Sequence, residues 1–271
     1  MRQGTKFYGD QDPCFRWRGT QVLRIEYLSD IVFALAFGMI VSSSNEPRTF
    51  EELQAFLFTA APVTAAFIFM VYIWTLHFTF FRRYGLSDQK TMVLNGCLLL
   101  LVLFIAYPLR FIFDALFGWI LLMAGDPGYV VSMQIDYQRA GAIMSYFAGG
   151  MALLFTIAAS LYLHALSRAD DLGLTDLERR ATRVAFWVFA VSTIWAVLAC
   201  VAAAFTPLGG FAGFIMSLAR ISSRFIRWRI LPKRLIDAAQ DANAASTPPH
   251  QTPEASPARV PDSSPVLRRD R

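Results

Sequence analysis

Three side chains able to lock helices together or to move a proton recur at matching depths in apolar segments of this 271-residue chain. Asp30 lies six residues past Arg24, His77 five residues before Arg82, and Asn95 five residues past Lys90. At 1.5 Å per helical residue, Asp30 is about 9 Å from its basic flank, and His77 and Asn95 are each about 7.5 Å from theirs. An ionisable group at such depth in a membrane is costly, and it is kept for function or for pairing. Here the carboxylate accepts, while the imidazole, the amide, the Ser29 hydroxyl and the Trp74 indole N–H can donate. Such a layer either locks three helices or senses and relays protons. No chain of further acids leads on across the membrane, which favours locking.

Other chemistry finds little support. No HExxH, GxSxG, Walker or CxxC pattern occurs, and His164 and His250 have no catalytic setting. His164 is expected to face the membrane interface near the inner end of its span. Cys14, Cys97 and Cys200 are too few and too scattered for a zinc site or a disulfide framework. Neither an enzyme nor a bound metal or cofactor is expected.

The elements that must position the polar layer are transmembrane helices. Hydrophobic residues make up 55% of the chain and charged ones 17%, against roughly 25% charged in soluble domains. Mean hydropathy is +0.43. Six apolar segments are expected to span, at 22–43, 53–81, 91–109, 140–166, 184–206 and 207–226. Pro62 predicts a tilt or kink in the second. The sixth has only 13 residues between Pro207 and Arg220, so it crosses only if Arg220 and Arg224 snorkel. Residues 111–124 follow Pro108 and Arg110, and are expected to form a separate outer helix that does not cross.

Charge supports six crossings. Basic clusters fall in the N-terminal arm, at Arg82, Arg83 and Lys90, at Arg168, Arg179, Arg180 and Arg183, and from Arg220 to Arg234. With six spans all of them lie in the cytoplasm, as do both termini. The chain is therefore expected to be a multi-pass membrane protein. The pI of about 9.3 then reports topology and contact with anionic membrane lipids, with no need of nucleic acid. Arg220, Arg224 and Arg227 beside Phe225 and Trp228 suit a helix emerging at the headgroups. Residues 1–21, which lack a signal peptide's apolar core, read as a cytoplasmic arm. Residues 22–230 read as the transmembrane domain, and 231–271, rich in Pro, Ser and Ala, as a disordered cytoplasmic tail.

On the first span, Arg24, Leu28, Ile31, Met39 and Ser42 all fall within about 40° of Leu35 at 100° per residue. Ser29 and Asp30 lie about 120° and 140° away. One face can therefore pack within the subunit while the other faces something else.

The stretch RIEYLSDIVFALAFGMIV resembles the first helix of the transmembrane protein 175 family, the endolysosomal potassium channels and their bacterial relatives. The family signature is Arg or Lys, three residues, then Phe-Ser-Asp. Arg24, Ser29 and Asp30 match it in register, with Leu28 in place of the Phe. Trp74 and His77 resemble the family's Trp-x-x-His segment, and Asn95 with Pro108 its third-helix pattern. The similarity covers about residues 22–110. It implies an all-α, polytopic protein of the bacterial six-helix type in the cell (inner) membrane, assembled as a homotetramer with helix one lining a central pore. It also implies potassium-selective conduction of K+ without a TVGYG filter, which is absent here; proton permeation is a further possibility for such a pore. The resemblance places the apolar constriction at Leu35, with Met39 next and with Leu28, Ile31 and Ser42 along the pore. It also implies that the Ser29–Asp30 pair bonds to His77 and Asn95. Gly38 stands where a Thr is common in the family, so the pore beyond Leu35 is expected to be wider or more polar than in its relatives. The alternative is a proton-coupled transporter using Asp30 and His77 as its coupling pair.

Overall fold

The computed structural model describes residues 15–19, 21–42, 47–134, 136–206 and 212–231. Among them are eight helices: α1 (Arg24–Ser42), α2 (Phe50–Phe58), α3 (Ala60–Tyr84), α4 (Gln89–Met123), α5 (Gly128–Ser132), α6 (Tyr137–Ser167), α7 (Asp176–Phe205) and α8 (Gly213–Ile230). Most of the expected tail, and the expected arm up to residue 14, lie outside the described residues.

Five helical stretches are long and apolar enough to cross a membrane, where six were expected: α1, α2 with α3, α4, α6 and α7. The shortfall is α8. It carries Arg220, Arg224, Arg227 and Arg229 in 18 residues, and these lower its hydropathy below that of its neighbours. It nevertheless packs back along α7, where the Trp195 indole Nε1–H donates to Ser222 Oγ at 3.0 Å.

The segment 111–124 is not a separate helix. α4 runs unbroken for 35 residues through Pro108, about 52 Å, well beyond a hydrocarbon core of about 30 Å. Pro108 and Arg110 had marked a boundary because proline removes a helix hydrogen bond and arginine belongs at headgroups. Arg110 is instead buried. It donates from Nη1 to the Ile40 carbonyl at the far end of α1 (3.2 Å) and lies 3.5 Å from Asp114 one turn on. Leu109 and Ala106 are fully buried beside it, so packing holds the helix together across the proline.

One core joins α1, α3, α4, α6 and α7, through residues such as Phe33, Met70, Val102, Leu161 and Phe189. Aromatic side chains dominate the end where α3 finishes: Phe80, Tyr84, Tyr162 and Phe189 contact one another at centroid distances of 5.0–5.8 Å. Phe15 adds its edge to Tyr84 at 5.2 Å, so the described part of the arm is docked on the bundle. Gly19 is required there, since a Cβ would fall 2.5 Å from the Phe81 carbonyl oxygen.

Candidate functional site

Every third or fourth residue of α1 from Glu26 through Ser29, Phe33 and Ala36 to Ile40 is buried against α3 and α4. That spacing is a single helix face. The site is built on this face and its opposite.

A buried hydrogen-bonded chain crosses three helices. The Ser29 hydroxyl donates to the Ile25 carbonyl at 2.8 Å, and Asn95 Nδ2 donates to Ser29 Oγ at 3.1 Å. His77 Nε2 stands 2.8 Å from Asn95 Oδ1. The amide oxygen can only accept, so the network assigns the proton to Nε2 of His77. Phe33 and Phe81 pack on the imidazole at centroid distances of 5.5 and 4.8 Å. All three polar residues are buried.

Asp30 lies apart from this chain. It is exposed, and its Oδ1 accepts the Trp74 indole N–H at 3.0 Å. Among the described residues no hydrogen bond joins it to His77 or Asn95. Adjacent helical residues diverge by 100°, so Ser29 and Asp30 cannot both aim at α4. Ser29 takes the buried face, and Asp30 turns along the edge towards α3. Trp74 in turn stacks on Phe78 at 5.5 Å, and the Arg82 guanidinium sits 5.1 Å above the Phe78 ring. Arg24 opens α1, exposed and without an ion pair among the described residues.

The opposite face carries the apolar stripe. Leu28, Ile31 and Leu35 are 56%, 66% and 57% exposed, and Ser42 is exposed as well. Met39 is half-buried. At Gly38 no atom lies within 4 Å of where a Cβ would stand. α1 is therefore held by its polar face while its stripe is uncovered in the single chain.

Two further anchors were not legible as such. Buried Glu26 accepts the Leu23 amide at 3.0 Å and lies 3.5 Å from Arg82. Arg110 ties off the other end of α1, as described above. Their sequence signals were faint: Glu26 shares the spacing of the buried face, and Arg110 with Asp114 forms an i, i+4 pair. His164 also differs from expectation. It is buried, and its Nε2 is bonded to Asp88 Oδ2 at 2.8 Å. Burial raises the Asp88 pKa, but the Thr91 hydroxyl and His164 outweigh it and hold the carboxyl below its ordinary value.

Comparison with known proteins bears on this arrangement. Residues 24–106 match the family model described as endosomal/lysosomal potassium channel TMEM175. A Marivirga tractuosa protein named potassium channel is 30% identical over 213 residues, which cover 76% of this chain and 84% of that protein. A crystal structure of the potassium channel MtTMEM175, an alanine variant in complex with a nanobody–MBP fusion protein, superposes with a TM-score of 0.65 at 27% identity. The match covers 84% of this chain and 97% of that one.

Proposed function

Because the chain belongs to the TMEM175 family of endosomal/lysosomal potassium channels, we propose that it works as a homotetrameric potassium channel of the cell membrane, with α1 of each subunit turned to a central pore. The observation that carries this reading is the stripe Leu28–Ile31–Leu35, open on one face of a helix whose other face is locked by the Ser29–Asn95–His77 chain. Four such stripes meeting at an axis make an apolar conduit. Leu35 forms the constriction with Met39 next to it, and Leu28, Ile31 and Ser42 line the remainder. An ion passing the leucine ring sheds water against groups that cannot replace it, so the ring is an energetic barrier as well as a steric one. Asp30 and Trp74 stand at the edge of the buried face, away from the stripe, where their hydrogen bond fixes the rotation of α1 against α3.

In this reading the chain crosses six times, with α8 as the last crossing and both termini in the cytoplasm. The transporter alternative needs Asp30 and His77 as a coupled pair, yet the first is bonded to Trp74 and the second to Asn95. The test is planar-bilayer recording of the purified protein under opposed potassium and sodium gradients. Unitary currents reversing towards the potassium equilibrium potential are expected. Flux without unitary steps, carried by a monomer, would overturn the proposal.

A further inference from the structure

The end of the bundle where α7 begins and α8 finishes holds an unusual concentration of one charge. Arg179, Arg180 and Arg183 of α7 line a cleft with Arg229 and Ile230 of α8, and Asp176 is the single acid on its wall. Residues 176, 179, 180 and 183 recur at three- and four-residue spacing, so α7 turns them to one side. Arg179 is partly engaged, donating to Asp170 and to the Leu174 carbonyl. Arg180, Arg183 and Arg229 are exposed and have no carboxylate partner among the described residues. Like charges gathered in one cleft repel, and an anion seated between them removes that repulsion.

The surroundings show which anion. Trp187 follows Arg183 by one turn, and Trp228 immediately precedes Arg229; both are exposed. Exposed indoles at one level of a membrane helix pair mark the headgroup layer. Beyond the cleft, α8 presents Phe225, Ile221 and Leu218 in a row, all exposed, along the path an acyl chain would follow. Guanidinium groups bind phosphate oxygens in pairs. We propose that this cleft binds the phosphate headgroup of an anionic phospholipid, with the acyl chains lying against the apolar row of α8.

The test uses the full chain in mild detergent, offered equal amounts of phosphatidylglycerol and phosphatidylcholine and read by native mass spectrometry. The wild type is expected to retain phosphatidylglycerol preferentially. Each arginine near an anionic surface contributes about fivefold, so R183Q is expected to weaken retention about fivefold and R180Q/R183Q/R229Q roughly a hundredfold. The charge-matched control R48Q/R139Q/R168Q is expected to behave as the wild type. Equal loss in the control and the triple variant would reduce the effect to net charge and overturn the site. Undiminished retention in the triple variant would overturn it as well. Inorganic phosphate alone, tested by thermal shift, is expected to protect far less than the lipid. Equal protection would make the cleft a free-anion site and overturn the lipid assignment.

Discussion

Ser29 and Asp30 are neighbours with unequal tasks. Ser29 is fully buried and accepts from Asn95, whereas Asp30 is exposed and takes one bond from Trp74. Removing Asn95 leaves the His77 Nε2–H without its acceptor in a dry interior, while the Ser29 hydroxyl loses a donor and keeps only its bond to the Ile25 carbonyl; the cost is about 1–3 kcal/mol. Asn95→Ala is therefore expected to lower the melting temperature more than Asp30→Ala, with thermal unfolding in detergent as the measurement. A larger drop for Asp30→Ala would mean that the carboxylate is covered in the assembly. At Leu35 the expected effect is on flux. Leu35→Ala removes both bulk and apolarity, and is expected to raise current and relax discrimination among monovalent cations in bilayer recordings. Leu35→Asn, of similar volume, raises current mainly by wetting. If Met39→Ala changed the current and Leu35→Ala did not, the constriction would lie one turn further along. The depth of the polar trio was legible from its distance to basic flanks, but its wiring was not. Depth fixes a layer, while a single residue step turns a side chain by 100° within it.

At the scale of elements, α1 behaves as a rod clamped along one side. Glu26 with Arg82 holds one end, the Ser29–Asn95–His77 chain the next turn, and Arg110 the carbonyl of Ile40 near the other end. These contacts set the rotation of the helix and so determine which residues stay uncovered. Ile40 is fully buried and Leu35 is 57% exposed, although they are five residues apart on the same helix. In a cysteine-free background, oxidation of Leu35→Cys is expected to give disulfide-linked subunits and Ile40→Cys is not, as read on a denaturing gel. Equal cross-linking at both positions would remove α1 from the axis. The two faces of α1 were readable from helical periodicity, because the stripe and the polar pair differ by more than 100°. The length of α4 was not. Proline and arginine are reliable boundary markers only when they meet water, and Arg110 meets the end of α1.

For the whole molecule, the count of crossings sets hydropathy against geometry. By length and apolarity α8 falls short of a crossing. Yet Arg229 and Ile230 share a cleft with Asp176 and Arg183, which brings the end of α8 back to the start of α7. The arm reaches the same end: Arg18 Nε donates to the Leu172 carbonyl at 2.8 Å, its guanidinium grips Glu178, and Arg82 Nη1 donates to the Gly19 carbonyl at 2.7 Å. The arm, the α3–α4 connection, the α6–α7 connection and the end of α8 thus gather at one end of the bundle, the arrangement that the four basic clusters require. The prediction is that the α6–α7 connection and the tail lie on one side of the membrane and the α4–α5 connection on the other. With Cys14, Cys97 and Cys200 replaced by serine, single cysteines at Asp171, Ser246 and Gly125 are treated with a membrane-impermeant maleimide on intact cells. Gly125→Cys is expected to label at once, and Asp171→Cys and Ser246→Cys only after permeabilisation. If Ser246→Cys labelled on intact cells while Asp171→Cys did not, α8 would lie along the bundle without completing a crossing, and the six-span assembly would fail with it.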